Sequence, residues 1–146
     1  MTSIYCYGDI MYEQHIFLEE NSGSNDTLVR KVKNKVGGSA FNTAKGLSEM
    51  GHNVSLICSI GNDFEGEYIK EELTYFSNIK TDFVDFSNFE TSKVFAIINK
   101  LNDHKFLSFR CKNMKLKNII EKIEFKKNDI LNISGYSFQD HCSRNI

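Results

Sequence analysis

The chain has no proline and no tryptophan. Proline normally makes up about 5% of a sequence, and lysine here far outnumbers arginine. Together the two biases read as codon usage rather than function. Cysteine is sparse: Cys6, Cys58, Cys111 and Cys142 are far apart and form no C-x-x-C pair. That spacing excludes a disulfide framework and a zinc site of the usual kind. Cys6 and Cys58 fall within predicted strands, where cysteine behaves as a small buried hydrophobe. His15, His52, His104 and His141 are equally scattered, with no H-E-x-x-H. Neither nucleotide-loop pattern, G-x-x-x-x-G-K-[ST] or G-x-G-x-x-G, occurs anywhere. The net charge of −1 argues against a nucleic-acid or anionic-membrane surface. No apolar run reaches membrane-spanning length, and the N-terminus lacks a basic region followed by an apolar one. The expectation is a cytoplasmic protein with no nucleic-acid or membrane partner and no metal site.

What is present suffices for one domain with a sizeable core: 146 residues, 40% of them hydrophobic and 25% charged. The most informative stretch runs from Val36 to Gly66. It opens on Gly37-Gly38 and continues with Ala40, Phe41, Ala44, Leu47 and Met50 at helical spacing. Ser39 is the expected N-cap, and Gly51 sits where a left-handed C-terminal cap belongs. Val54 to Ile60 is apolar and of strand length, and Gly61 and Asp63 open a second helix. A helix, a buried strand and another helix within about thirty residues make an α/β unit. Glycines at a helix start let backbone approach another group closely and leave amide donors free. Asn42, one turn in, carries both a donor and an acceptor, which suits a neutral hydroxylated ligand.

Taken in order, Ser3 to Tyr7 is a short strand ending at Gly8-Asp9. Ligands approach α/β sheets at such C-terminal strand ends, so Asp9 joins Gly37, Gly38 and Asn42 as a candidate. Gln14 to Leu18 and Leu28 to Lys35 read as a half-exposed hairpin. Asp63 to Phe76 is a helix with Phe64, Tyr68, Ile69, Leu73 and Phe76 on one face. Its acidic first turn, Asp63, Glu65 and Glu67, is explained by capping and the helix dipole. Thr81 to Phe86 alternates as a strand. Lys93 to Leu101 and Lys105 to Arg110 flank Asn102-Asp103-His104, a short-hairpin signal. Leu116 to Ile123 reads as a helix, and Asp129 to Ser134 as a buried parallel strand ending in Gly135-Tyr136. Asp140 to Ile146 begins something helical.

G-G-S-A-F-N-T-A-K-G-L followed by G-N-D-F-E-G resembles the N-terminal signature of the ribokinase-like, or phosphofructokinase-B-type, carbohydrate kinases. Y-G-D-I-M-Y-E also fits the end of that family's first strand. The likeness runs from Ser3 to about Phe138 and covers only the first half of such an enzyme. It implies a partial three-layer, Rossmann-like α/β body carrying a small β-sheet lid. The lid strands are expected at approximately 14–35 and 81–112, with the rest of 1–146 forming the body. The family's acidic ligand contact falls on Glu13, one methylene longer than the usual Asp, and Met11 stands where many members carry Asn. Both departures weaken a ribose-specific reading and leave sugar binding intact. Asn113, where the chain returns to the body, is a further candidate sugar contact.

The same resemblance implies an ATP- and Mg2+-dependent kinase that phosphorylates a sugar or nucleoside hydroxyl, and it leaves room for a homodimer built through the lid. The family keeps its nucleotide site and its catalytic G-A-G-D segment in the second half. After Gly66 the only glycine here is Gly135, so no residue is assigned a catalytic role. Two readings follow: the sugar-binding portion of a kinase whose other half is missing, or a non-catalytic sugar-binding or interaction module derived from one. A third, an accidental likeness in an unrelated small α/β domain, is disfavoured by the spacing of the two glycine motifs.

Overall fold

The computed structural model describes residues 2–19, 27–111 and 116–138. The chain forms β1 (Ile4–Tyr7), then leaves the body for β2 (Met11–Leu18) and β3 (Val29–Gly37). It returns through α1 (Ser39–Glu49), β4 (Val54–Gly61), α2 (Phe64–Leu73), β5 (Ile79–Lys80) and β6 (Val84–Ser87). A second excursion makes β7 (Lys93–Ile98) and β8 (His104–Phe109). It ends with α3 (Leu116–Ile120), β9 (Ile130–Ile133) and a 3₁₀ turn at Gly135–Phe138. Two sheets result. The body sheet is parallel, in the order β5-β4-β1-β9, with β6 also pairing with β4. The lid sheet has the order β3-β2-β7-β8.

The three layers follow from the two-residue period of the central strands, whose successive side chains point to opposite faces. Cys6, Val54, Leu56, Cys58 and Ile60 face α1 and α2, and pack with Ala40, Phe41, Ala44, Ile69 and Leu73. Tyr5, Tyr7 and Ile57 point the other way and meet Ile119, Ile120 and Ile123. A central parallel strand covered on both faces is mostly apolar, as β4 is apart from the half-buried Ser55 and Ser59. The buried Cys6 and Cys58 belong to this core. Burial pushes the Cys6 thiol up to about 11 and that of Cys58 higher still, so neither serves as a nucleophile near neutral pH.

Several expectations change. Thr81 to Phe86, read as a strand and placed with the lid by the resemblance, yields β6 (Val84–Ser87), which extends the body sheet instead, pairing Cys58 with Val84 and Ile60 with Phe86. Alternation gives a strand but not its neighbour. The first lid strand starts at Met11 rather than at 14, so Glu13 lies on it. β9 is parallel to β1 as expected but not buried: Ile130, Leu131 and Ile133 are exposed. Position 38, not 39, is the cap of α1, and Ser39 is its first helical residue. The Ser39 hydroxyl is hydrogen-bonded to that of Ser134. Asp140 to Ile146 lies outside the described residues.

Asp63 ties body to lid. One carboxylate oxygen accepts the Gly66 N–H at 2.9 Å, capping α2, and the Thr91 hydroxyl at 2.5 Å. The other accepts the Thr91 N–H at 2.8 Å. The same hydroxyl oxygen accepts the Gly61 N–H at 3.0 Å, and Thr91 is 1% exposed. Two residues on, Lys93 at the start of β7 pairs with Glu65 of α2 at 2.8 Å. Burial pushes the Asp63 carboxyl up, but the Thr91 hydroxyl and N–H, the Gly66 N–H and the Lys93 charge outweigh it and hold it below the ordinary 3.8. A carboxyl with a depressed folded value stabilises the fold above its ordinary value, and that stability is lost as pH falls through the lowered one. Asp63→Ala removes a cap and leaves Thr91 without its partner. The expected cost in urea unfolding at neutral pH is roughly 2–4 kcal/mol, and the difference from the parent should shrink below about pH 4. A cost that stays constant through that range contradicts the assigned role.

Candidate functional site

The site forms where the chain crosses between body and lid. After β1 the backbone turns at Gly8-Asp9, and after β3 it enters α1 through Gly37-Gly38. The Asp9 carbonyl accepts the N–H groups of Ala40 (3.2 Å) and Phe41 (3.4 Å), which locks the two crossings together. Gly38 makes the approach feasible. Its φ is +96°, and a Cβ there would lie 2.5 Å from the Asp9 carbonyl oxygen. The reading that the glycines leave the first amides free is therefore corrected: those of Ala40 and Phe41 bond to Asp9. Sequence could not show this, because the acceptor lies about thirty positions away.

A cleft of about 340 Å³ opens between body and lid at this junction. Asp9, Glu13, Gly38 and Asn42 all line it, joined by Met11, Ser39, Val94, Phe106, Ser108, Arg110 and Tyr136. The lid contributes through its register: Lys35, Glu13, Val94 and Ser108 lie side by side across β3, β2, β7 and β8. That face turns inward. Asn42 is exposed on the first turn of α1 and lines the cleft. Gly37 is not among the lining residues. It stands behind Glu13, and a Cβ on it would collide with the Glu13 carboxylate. The second glycine of the pair thus shapes the backbone, and the first makes room for a side chain. Asn113 lies outside the described residues.

Both acidic groups have side-chain partners. Glu13 meets His15 Nε2 at 3.2 Å and Lys35 Nζ at 3.3 Å. Asp9 pairs with Arg110, whose guanidinium carbon lies 4.5 Å from the centre of the Tyr136 ring. The lining therefore combines two paired carboxylates, an amide and three hydroxyl-bearing residues with the apolar surfaces of Met11, Val94 and Phe106. Such a surface can accept and donate hydrogen bonds to several hydroxyls while a hydrophobic wall covers a ring face. A second cavity of about 530 Å³ adjoins it, sharing Ser39 and Tyr136 and lined also by Thr43, Asn132, Ile133, Ser134 and Gly135. Arg110 and Tyr136 were not singled out in the sequence. Tyr136 carried the signal that found Asp9, since it follows a glycine at a strand's C-terminal end.

The described residues do not fit a nucleotide triphosphate with its magnesium. The N–H groups of Ala40 and Phe41 in the first turn of α1 are occupied by the Asp9 carbonyl, and both carboxylate oxygens of Asp63 are engaged by its own cap and Thr91. Among the described residues no group of three or more His, Cys, Asp or Glu is gathered to hold a metal ion. No helix among them is long and apolar enough to cross a membrane.

A family profile described as pfkB family carbohydrate kinase matches residues 1–146. No curated protein matches. Among solved structures, ribokinase from Thermotoga maritima is 16% identical with a TM-score of 0.65, covering 75% of this chain and 36% of its own. A nucleoside kinase from Methanocaldococcus jannaschii, an archaeal member of the ribokinase family, is 17% identical with a TM-score of 0.71. That match covers 96% of this chain and 55% of the kinase. Arabidopsis thaliana ribokinase, solved with ribose and ATP, is 16% identical with a TM-score of 0.64, over 75% and 36% of the two chains. At these identities the likeness is one of fold, and the chain spans between about a third and just over half the length of these enzymes.

Gly38→Ala tests the crossing directly. A side chain at φ +96° that also strikes the Asp9 carbonyl should cost roughly 2 kcal/mol or more, read as a lower Tm. Gly51→Ala shares the positive φ of +88° but meets nothing within 4 Å, so it should cost less. Equal costs would mean the close approach is not made.

Proposed function

The chain belongs to the pfkB family of carbohydrate kinases, and from that premise we propose that it is the acceptor-binding portion of an ATP-dependent kinase that phosphorylates a sugar or nucleoside hydroxyl. One observation carries the reading: Asp9 and Glu13 from one crossing, and Gly38 and Asn42 from another about thirty residues on, line one cleft between body and lid. In this reading Glu13 and Asn42 accept and donate hydrogen bonds to acceptor hydroxyls, Gly38 lets the ligand approach backbone, and Asp9 closes the cleft's edge. Gly37 supports the set by making room for Glu13. The nucleotide and its magnesium find no fitting residues in the described chain, so no transfer step is assigned to it. Residues 1–146 contain no G-A-G-D segment. A positioned base contributes roughly 10²–10⁴-fold to such reactions, and oriented anion-stabilising donors at least as much. The 146-residue chain alone is therefore proposed to bind an acceptor and transfer no phosphate. A second reading, a sugar-binding module without chemistry, rests on that same absence of a catalytic aspartate.

The lid's outer face supports pairing of two lids. Val32, Leu107 and Phe109 are exposed and lie on the side opposite Glu13 and Ser108. An ATP-consuming enzyme of small metabolites also belongs in the cytoplasm, as expected from the sequence.

Thermal-shift and calorimetric titrations with ribose, fructose, their phosphates and inosine test the acceptor reading. The expected result is binding by at least one of them, weakened about tenfold or more in Asn42→Ala and Glu13→Ala through lost hydrogen bonds, one of them to a charged group. Binding unchanged in both variants would overturn the site. Turnover of ATP with any acceptor, abolished by Asp63→Asn, would show that the catalytic centre lies where capping has been assigned.

A further inference from the structure

Arg110 is the first residue after the last lid strand, yet its side chain reaches back across the cleft to the body. Its Nη1 donates to the Asp9 carboxylate, and its guanidinium lies over Tyr136, 4.5 Å from the ring centre. The two body partners come from opposite ends of the chain, one following β1 and the other following β9. These strands are neighbours in the body sheet, so their C-terminal ends present Asp9 and Tyr136 side by side. Cys111, the next residue, donates its N–H to the Ser92 hydroxyl at 3.0 Å, joining the exit from the lid to the entry of β7. The backbone at 110 is thereby fixed while its long side chain spans the gap.

We propose that Arg110 is a positioning residue that clamps the lid over the acceptor cleft, with Asp9 and Tyr136 as its receptors on the body. The clamp sets the separation between the lid face bearing Glu13, Val94 and Ser108 and the body face bearing Gly38 and Asn42. It differs in kind from the Asp63–Thr91 tie, which fixes the root of β7 through short buried hydrogen bonds. Arg110 acts at the mouth of the cleft, where its side chain is 36% exposed and that of Asp9 27%. A partly exposed ion pair combined with a cation–π contact is weak enough to open and strong enough to bias closure. Stacking on the Tyr136 ring favours arginine over lysine, because the planar guanidinium meets ring and carboxylate at once. This inference goes beyond the kinase reading and does not need it, since it concerns closure of the lid in the chain alone.

Hydrogen–deuterium exchange of the full 146-residue chain tests it, and β1 and β4 serve as the internal reference. Arg110→Gln and Asp9→Asn should each speed exchange in β7 and β8 by about three- to tenfold, with β1 and β4 unchanged. The double variant should be no faster than either single one, because both break the same contact. Arg110→Lys should restore less than half of the protection. Lid exchange identical to the parent in Arg110→Gln, or additive effects in the double variant, would overturn the clamp. Faster exchange in the body strands as well would assign Arg110 to general stability and equally overturn it. Titration with ribose and inosine is read separately, so that failure to bind an acceptor counts against the function alone.

Discussion

The backbone carbonyl of Asp9 accepts two N–H groups from the first turn of α1, and the candidate site depends on that contact. It joins the exit from β1 to the entry into α1, two crossings that the sequence separates by about thirty residues. Only a residue without a side chain can stand at position 38, since a Cβ would meet the Asp9 carbonyl and φ is positive. From this junction the rest follows: β2 and β3 leave side by side, Glu13 projects over Gly37, and Asn42 faces the same opening. Two amides of the helix N-terminus are thus bonded within the protein, and that end of α1 works as a structural joint.

The lid is held by contacts of graded strength. At its root, Thr91 is almost fully buried and receives three hydrogen bonds to or from Asp63 and Gly61, with Lys93–Glu65 beside them. At its two edges, β3 and β8 are exposed along nearly their whole length. A lid of this build is stiff where it leaves the body and loosely restrained at the mouth of the cleft. That distribution suits a cover that admits a small ligand without unfolding its base.

Much of this was legible in the sequence for local reasons. The helical spacing of Ala40, Phe41 and Ala44, the apolar run of β4, and the Asp63 cap all depend on neighbours a few residues away. The convergence of Asp9, Glu13, Gly38 and Asn42 was legible because strand ends and helix starts of a parallel sheet meet on one side. What escaped depended on distant partners. Arg110 and Asp9 are 101 positions apart, and no local pattern distinguishes Arg110 from any charge after a strand. Val84–Ser87 alternates as a lid strand would, and only its pairing with Cys58 and Ile60 shows that it belongs to the body. The apolar sequence of β9 gave no hint that Ile130, Leu131 and Ile133 would lie exposed.

The central claim is that one cleft between lid and body receives the acceptor. Nuclear magnetic resonance of the isotope-labelled chain, titrated with ribose and with inosine, examines it residue by residue. The account predicts that the largest saturable amide shifts for whichever ligand binds fall on Asp9, Glu13, Gly38 and Asn42, with smaller ones on Val94 and Ser108. Saturable shifts confined to another surface, or none with either ligand at concentrations well above those at which such acceptors bind, would contradict it.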